Sequence, residues 1–163
     1  MTITEVFKQV GLSPIGPVSW NRPIPEPEAG VYVVARVSDP AARCEAFELP
    51  IIDSLPPNLV LDLEYERKRW LPNEPIVYIG ATTRPLRKRL GESYRHKCGN
   101  PAPHAGGQVL KLLTRELWVY WSPAADPMKA ERDMICAFRE QTGQQPFANG
   151  NSRGKKRRIQ RLE

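Results

Sequence analysis

The chain lacks paired cysteines, which argues against a fold held together by disulfides. Its 163 residues contain three widely separated cysteines with no CxxC spacing: Cys44, Cys98 and Cys136. An odd number of scattered thiols is typical of a reducing compartment. The sequence also lacks an apolar run of membrane-spanning length, and its first residues show no basic segment followed by an apolar one. We therefore expect a cytoplasmic protein with no membrane partner.

The charge is not evenly spread along the chain. The formal net charge is +6 and the pI is about 9.4. Residues 84–97 and residues 153–163 each carry six Lys or Arg and one Glu, whereas the remainder has 12 basic and 16 acidic side chains. Two basic patches on a mildly acidic body predict a localised contact with phosphate groups, and a solvated surface is the alternative.

Internal repeats are absent as well, and the length suits one domain. Apolar runs predict strands at 30–37, 75–80 and 117–121, and caps and periodicity predict helices at 2–10, 82–94, 108–114 and 127–141. These elements predict an α+β fold, with a small antiparallel β-sheet of about three core strands flanked by helices, which we expect on one side of the sheet.

The remaining segments divide the chain further. Residues 1–29 combine a helix with an extended proline-rich arm, residues 30–151 form the main domain, and residues 152–163 form a polar, basic tail that we expect to be mobile. Residues 38–74 form a long insertion between the first two predicted strands. Within it, the pattern around 59–66 fits a strand or a helix, and both assignments stay open.

Two short motifs lie on the first two predicted strands, Gly30-Val31-Tyr32 and Tyr78-Ile79-Gly80. The second leads into the basic run at 84–91. Two phenols beside several guanidinium groups suit the chemistry of a phosphodiester, although either tyrosine alone fits an ordinary strand aromatic. The glycines fit places where the backbone and a phosphate approach closely.

Glu131 is the informative residue of the last predicted helix. It shares a helical face with three apolar side chains, those of Met134, Ile135 and Phe138. A carboxylate on a face that should be buried needs a partner, because an unpaired buried charge is costly. The partner is either a basic side chain in a structural ion pair or a hard cation such as Mg²⁺.

Taken in order along residues 30–151, these motifs resemble the GIY-YIG nuclease family. In that family an arginine follows the second motif on the next helix, and Arg89 within Leu86–Leu90 fits this position, with Lys88 as the alternative. The family glutamate corresponds to Glu131, and the family asparagine near the end of the domain corresponds to Asn149.

The resemblance extends to further positions. His104 is similar to a histidine that precedes a short helix in some members. Many members have His or Tyr one turn after the arginine, where this chain has Ser93, with Tyr94 and His96 nearby. The 38–74 insertion makes the chain closest in build to standalone restriction-type members.

The resemblance implies a metal-dependent endonuclease that hydrolyses double-stranded DNA to 5′-phosphate and 3′-hydroxyl ends. The implied catalytic residues are Tyr32, Tyr78, Arg89, His104, Glu131 and Asn149. Glu131 would hold a single Mg²⁺, for which Mn²⁺ can substitute, and a homodimer would allow both strands to be cut. The alternative is a non-catalytic DNA- or RNA-binding module that retains the fold. Zinc held by His96, Cys98 and His104 is a lesser alternative.

Overall fold

The computed structural model describes residues 1–55, 57, 59–97, 105–150 and 159–161. The strands are β1 (Ile15–Ser19), β2 (Gly30–Ala35), β3 (Leu59–Leu61), β4 (Ile76–Thr82), β5 (Trp118–Pro123) and β6 (Ile159–Arg161). The helices are α1 (Ile3–Lys8), α2 (Leu63–Arg69), α3 (Leu86–Arg95) and α4 (Pro127–Thr142), with 3₁₀ helices at Ala105–Leu112 and Phe147–Asn149. The main sheet is antiparallel with strand order β1-β5-β2-β4, and β3 pairs with β6. The predicted α+β class is confirmed, with four strands in the main sheet.

Helices cover both faces of the main sheet, so the prediction that they pack on one side is wrong. Every residue of β2 is buried. Its even-numbered residues face Leu86 and Leu90 of α3, and its odd-numbered residues face α1 and α4. The segment Gly30–Ala35 has no polar residue to alternate with its apolar ones, which is the pattern of a strand buried on both sides.

The proline-rich arm contributes a strand to the sheet. β1 lies within the segment that the sequence predicted as extended, and it pairs with β5, where Ile15 faces Trp121 and Ser19 faces Trp118. Because Pro residues cannot donate to a ladder, Pro17 is tolerated at this outer strand.

The 38–74 insertion contains both of the structures that its pattern left open. Leu59–Leu61 form β3, and α2 begins directly afterwards, where the Asp62 carboxylate accepts a hydrogen bond from the Tyr65 amide at 3.0 Å. β6 comes from the basic tail, so that part of the predicted mobile tail is an ordered strand against β3. The rest of the tail, 152–158 and 162–163, lies outside the described residues.

The termini of α4 follow the sequence signals. The Asp126 carboxylate caps the first turn by accepting from the Lys129 amide at 3.1 Å, and the helix ends at Gly143, whose φ of 89° is readily adopted by glycine. None of the helices in the described part of the chain is long and apolar enough to cross a membrane.

Candidate active site

The two motif tyrosines lie side by side on one face of the sheet. Tyr32 on β2 is opposite Gly80 on β4, and Tyr78 is opposite Val34, so the two rings are diagonal neighbours. Their centroids are 5.8 Å apart and their hydroxyl groups share a hydrogen bond. The sheet register therefore brings together two phenols that are 46 positions apart in the chain.

A β-bulge in β4 sets the direction of the second phenol. Val34 pairs with Tyr78 and Ala35 pairs with Ile76, so Val77 has no partner in the ladder. Val77 and Tyr78 consequently both contact the core on the α3 side, whereas Ile76 and Ile79 contact the other side. Bulges are frequent next to active sites because they re-aim a side chain.

The motif glycines make room for protein atoms. A Cβ on Gly80 would lie 2.6 Å from Tyr32 Cζ and 2.8 Å from Tyr78 Cε1, so the tyrosine rings occupy the space that a side chain would need. A Cβ on Gly30 would lie 2.1 Å from the Ser122 carbonyl oxygen. The predicted approach of a phosphate to these glycines stays a prediction, since internal packing alone accounts for both.

Arg89 joins the tyrosine pair from α3. Its side chain is half-buried and donates a hydrogen bond to the Tyr32 hydroxyl. Arg87 and Lys88 are exposed on the same helix. Of the two candidates for the arginine position, the structure therefore brings Arg89 to the phenols and leaves Lys88 at the surface.

Glu131 comes from the helix on the opposite face of the sheet. As predicted, Met134 and Phe138 on its helical face are fully buried, and Glu131 itself is half-buried at the margin. Burial raises the pKa of the Glu131 carboxyl, and the positive charge of Arg89 partly opposes this rise. The Glu131 side chain lines a pocket with Arg132 and Gln145, which shares no residue with the small pocket that Arg89 lines with the phenols.

The environment keeps both phenols protonated at neutral pH. Burial raises the pKa of Tyr32, while Arg89 acts in the opposite direction. The pKa of Tyr78 is raised well above its ordinary value by burial, then by repulsion from the ionised form of Tyr32 and from the Glu131 carboxylate. Tyr32, Tyr78, Arg89 and Glu131 therefore act on one another electrostatically, although they come from four different elements.

Asn149 holds the backbone of the second motif strand. Its side-chain oxygen accepts from the Ile79 amide at 2.9 Å, and its side-chain nitrogen donates to the Ile79 carbonyl at 2.7 Å. Both polar atoms of the side-chain amide are thereby used on β4, between Tyr78 and Gly80. The structure places Asn149 as a positioning residue for this strand, and the predicted role in orienting a metal or a phosphate stays untested.

The insertion supports the segment that carries Asn149. The Arg69 guanidinium donates to the carbonyl oxygens of Pro146 at 3.1 Å and Phe147 at 3.4 Å, and the Tyr65 hydroxyl donates to the Gly150 carbonyl at 3.1 Å. A Cβ on Gly150 would lie 2.3 Å from Arg69 Cζ, so a side chain at position 150 would displace the guanidinium from its present place. α2 is therefore docked on the asparagine segment.

The candidates for completing the site differ in position. Ser93 lines a small pocket with the two phenols and Arg89, and its hydroxyl donates to the Arg89 carbonyl at 3.0 Å. The Tyr94 ring packs on Trp20, and His96 Nε2 lies 3.2 Å from the side-chain nitrogen of Gln108. His104 lies outside the described residues.

Two side chains at this pocket were not among the predicted catalytic residues. Lys111 and Trp20 line it opposite the tyrosines, and the Lys111 ammonium donates to the carbonyl oxygens of Tyr94 at 3.2 Å and His96. The sequence contains one signal for Lys111, which is the single charged residue in the apolar run Val109–Leu113. A charged side chain in such a run is costly unless it has a partner or a ligand.

Glu131 has the donor chemistry of a Mg²⁺ ligand. Magnesium usually keeps several waters and binds through one or two carboxylates and the phosphates of its substrate, and Glu131 supplies one half-buried carboxylate. His, Cys, Asp and Glu side chains form no group of three or more within the described ranges. For zinc, Cys98 and His104 lie outside those ranges, and Cys136 is an exposed thiol on α4.

Arg89 and the two neutral phenols line one small pocket, and the Glu131 carboxylate, which lines a separate pocket, acts on them through its charge. Such groups can bind a phosphate, hold a divalent cation and accept hydrogen bonds from water. No protein-family model, curated protein or solved structure matches the chain. The chemistry of these side chains is therefore the basis for assigning a function.

Proposed function

We propose that the protein is a metal-dependent DNA endonuclease of the GIY-YIG type. The supporting observation is the convergence of Tyr32, Tyr78, Arg89 and Glu131, drawn from two strands and two helices, into one electrostatic group. The competing interpretation is that Arg89 and Glu131 form an ion pair that only stabilises the fold. That interpretation does not explain why two buried tyrosines lie beside Arg89.

Arg89 has the chemistry to bind the scissile phosphate. A guanidinium donates two parallel hydrogen bonds to non-bridging phosphate oxygens, which a lysine cannot do. Arg89 already donates to Tyr32, so a phosphate bound there would lie beside both phenols. Glu131 would hold Mg²⁺ or Mn²⁺, which supplies Lewis-acid stabilisation of the leaving 3′ oxygen when bound.

The tyrosines would orient and deprotonate the attacking water. Burial keeps both phenols protonated in the free protein, since it raises the pKa of each. A tyrosine base therefore needs added positive charge to lower its pKa. Arg89 supplies part of that charge. The phenol that acts as the base would first release its own proton to solvent, and the resulting phenolate would then accept the proton of the attacking water.

Basic residues around the site fit a duplex backbone. Arg87 and Lys88 are exposed on α3, one turn or less from Arg89, and Arg84 at the start of that helix is paired with Glu92 at 2.5 Å. Double-stranded DNA presents a dense row of phosphates to such a surface. One site per chain would cut both strands through a homodimer or by sequential nicks.

A plasmid assay tests the proposal. Supercoiled DNA is incubated with Mg²⁺ or Mn²⁺ and wild-type protein, Glu131→Ala, or Glu140→Ala, which removes an exposed carboxylate from the same helix. We expect Glu131→Ala to lose cleavage by about 10²-fold or more, as is typical when a charge-stabilising group is removed, and to keep its DNA affinity. Glu140→Ala should cut like wild type, and the ends should be directly ligatable.

The competing function is a non-catalytic DNA- or RNA-binding module. It predicts binding without nicking in either metal, with no difference between Glu131→Ala and Glu140→Ala. If the wild-type protein cuts no duplex under these conditions, the endonuclease proposal is wrong.

A further inference from the structure

A larger cavity adjoins the small catalytic pocket. It has a volume of about 410 Å³, within the range of ligand-binding pockets. Trp20, Leu110 and Lys111 line both spaces, so they form the wall between them. Whatever occupies the larger cavity would therefore be a direct neighbour of a phosphate held at Arg89.

Trp20 is presented to this cavity by a tight turn. The Arg22 amide donates to the Ser19 carbonyl at 3.1 Å, and Asn21 adopts a φ of 75°. The Trp20 amide donates to the Leu117 carbonyl at 2.8 Å, which ties the turn to the start of β5. The indole is half-buried and stands nearly perpendicular to the Tyr94 ring, at 83° and 4.8 Å.

The polar groups of the cavity suit a nucleotide. Lys111 holds a positive charge at the wall shared with the catalytic pocket, and the exposed Arg115 is a further lining residue. Tyr94 also lines the cavity, and its buried hydroxyl has no hydrogen-bond partner among the described residues. Buried polar groups are normally paired, so an unpaired phenol in a cavity wall calls for an explanation.

We propose that this cavity binds the base of an unpaired nucleotide next to the scissile phosphate, with the base stacked on Trp20. The inference rests on the proposed function and names a subsite of its substrate. Aromatic side chains accept any base on their face, and a cation beside them contacts the adjoining phosphate. The shared wall makes the cavity a direct neighbour of the catalytic pocket, as a neighbouring nucleotide requires.

Binding without cleavage tests the subsite. A fluorescently labelled single-stranded oligothymidine is titrated in EDTA with wild-type protein, Trp20→Leu, Trp20→Phe and Trp118→Leu. Trp118 is the matched control, because it lies on the neighbouring strand with its ring packed on the opposite face of the sheet. We expect Trp20→Leu to weaken binding about 5- to 150-fold, the range for stacking of one base, and the other two variants to stay within about threefold of wild type.

A fluorescence measurement on the wild-type protein does not depend on the variants folding. 2-Aminopurine is placed at successive positions of the same oligonucleotide, and its emission is quenched when it stacks. Quenching at one position, together with loss of the Trp20 effect when that position is abasic, supports the proposal. The absence of quenching at every position, or equal binding by wild type and Trp20→Leu, overturns it.

Three further outcomes distinguish a failure of the subsite from a failure of the proposed function. If a deoxynucleoside monophosphate displaces the oligonucleotide at equal concentration, the cavity is a free-nucleotide site and the substrate subsite is wrong. If plasmid cleavage fails but base stacking on Trp20 is measured, the proposed function fails and the base site stands. If cleavage depends on Glu131 and Trp20→Leu binds normally, only the subsite fails.

Discussion

At the scale of single residues, the site holds ionisable groups in surroundings that oppose their charged forms. Burial is the main cause of the raised pKa of Glu131, Tyr32 and Tyr78. For Glu131 this outweighs the attraction of Arg89, so the ionised carboxylate lowers the stability of the folded protein. A structural ion pair would show the opposite balance.

Glu131→Gln should therefore stabilise the protein at neutral pH. The pKa of the Glu131 carboxyl in the folded protein lies above its unfolded value of about 4.3, so the protonated carboxyl favours the folded state. This contribution is complete below the unfolded pKa and is lost as the pH rises through the folded pKa. The advantage of Gln should be absent below about pH 4 and reach less than about 1 kcal/mol at pH 7.5, because the group is partly solvated. Urea unfolding of both proteins in EDTA at the two pH values measures it.

The exposed Glu140 provides the control for this experiment. Glu140→Gln removes a carboxylate of the same type from the solvated side of α4, so its effect should be small at both pH values. If Glu131→Gln destabilises the protein at pH 7.5, the carboxylate is a structural partner of Arg89.

At the scale of elements, the motif strand β4 depends on support from outside the sheet. Among the described residues it is an outer strand with a bulge at Val77, and one of its edges pairs with no other strand. Asn149 satisfies the amide and carbonyl of Ile79 on this strand, and α2 in turn holds the segment around Asn149 through Arg69 and Tyr65. Outer strands are otherwise open to fraying or to pairing with another chain.

Asn149→Ala should loosen β4 directly. Both Ile79 groups would lose their partners, and we expect a stability loss of about 1–3 kcal/mol. Hydrogen exchange at the Ile79 amide should become faster than in wild type, while Asn73→Ala, in an exposed turn, should leave it unchanged. Unchanged exchange and stability in Asn149→Ala would show that the two hydrogen bonds do not hold the strand.

At the scale of the whole molecule, the tyrosine pair and several basic side chains lie on the same side of the sheet. The α3 side of the sheet carries the phenols, Arg89 and the exposed basic residues Arg87 and Lys88. The basic tail leads into β6, which pairs with β3 of the insertion. Residues 155–158 carry four positive charges and directly precede β6 in the sequence.

Neutralising the tail should alter the salt dependence of DNA binding. In Lys155→Gln/Lys156→Gln, the slope of log affinity against log salt should fall by up to about 2, since each phosphate contact contributes about 0.9. Arg67→Gln/Lys68→Gln removes two exposed charges from α2 and serves as the matched control. Equal slopes in all three proteins would exclude the tail from the DNA contact.

Local signals were sufficient to predict the elements that carry the motifs. The caps of α4 and the apolar runs of β2 and β4 act over a few residues, and the face shared by Glu131, Met134 and Phe138 was correctly identified. Within the described ranges, the structure brings four of the six predicted catalytic residues together around one pocket or in charge contact with it. Asn149 instead holds the adjacent strand.

Features that depend on contacts between distant parts of the chain could not be predicted from the sequence. β1 forms because Ile15–Ser19 pairs with β5, which lies about a hundred positions later in the chain. The composition of Ile15–Ser19 does not indicate this partner. The wall formed by Trp20 and Lys111 has the same origin, because it requires the turn after β1 and a 3₁₀ helix to meet. The coverage of both sheet faces follows from where α3 and α4 return along the chain.

The docking of α2 has a practical consequence for anyone who shortens this protein. Excising 38–74 to obtain a compact hairpin would also remove the donors that bind the carbonyls of Pro146, Phe147 and Gly150. A miniaturised version would have to retain α2 on short linkers or be redesigned at 146–150. Removing the insertion as a dispensable loop would therefore remove the helix that supports the segment at 146–150.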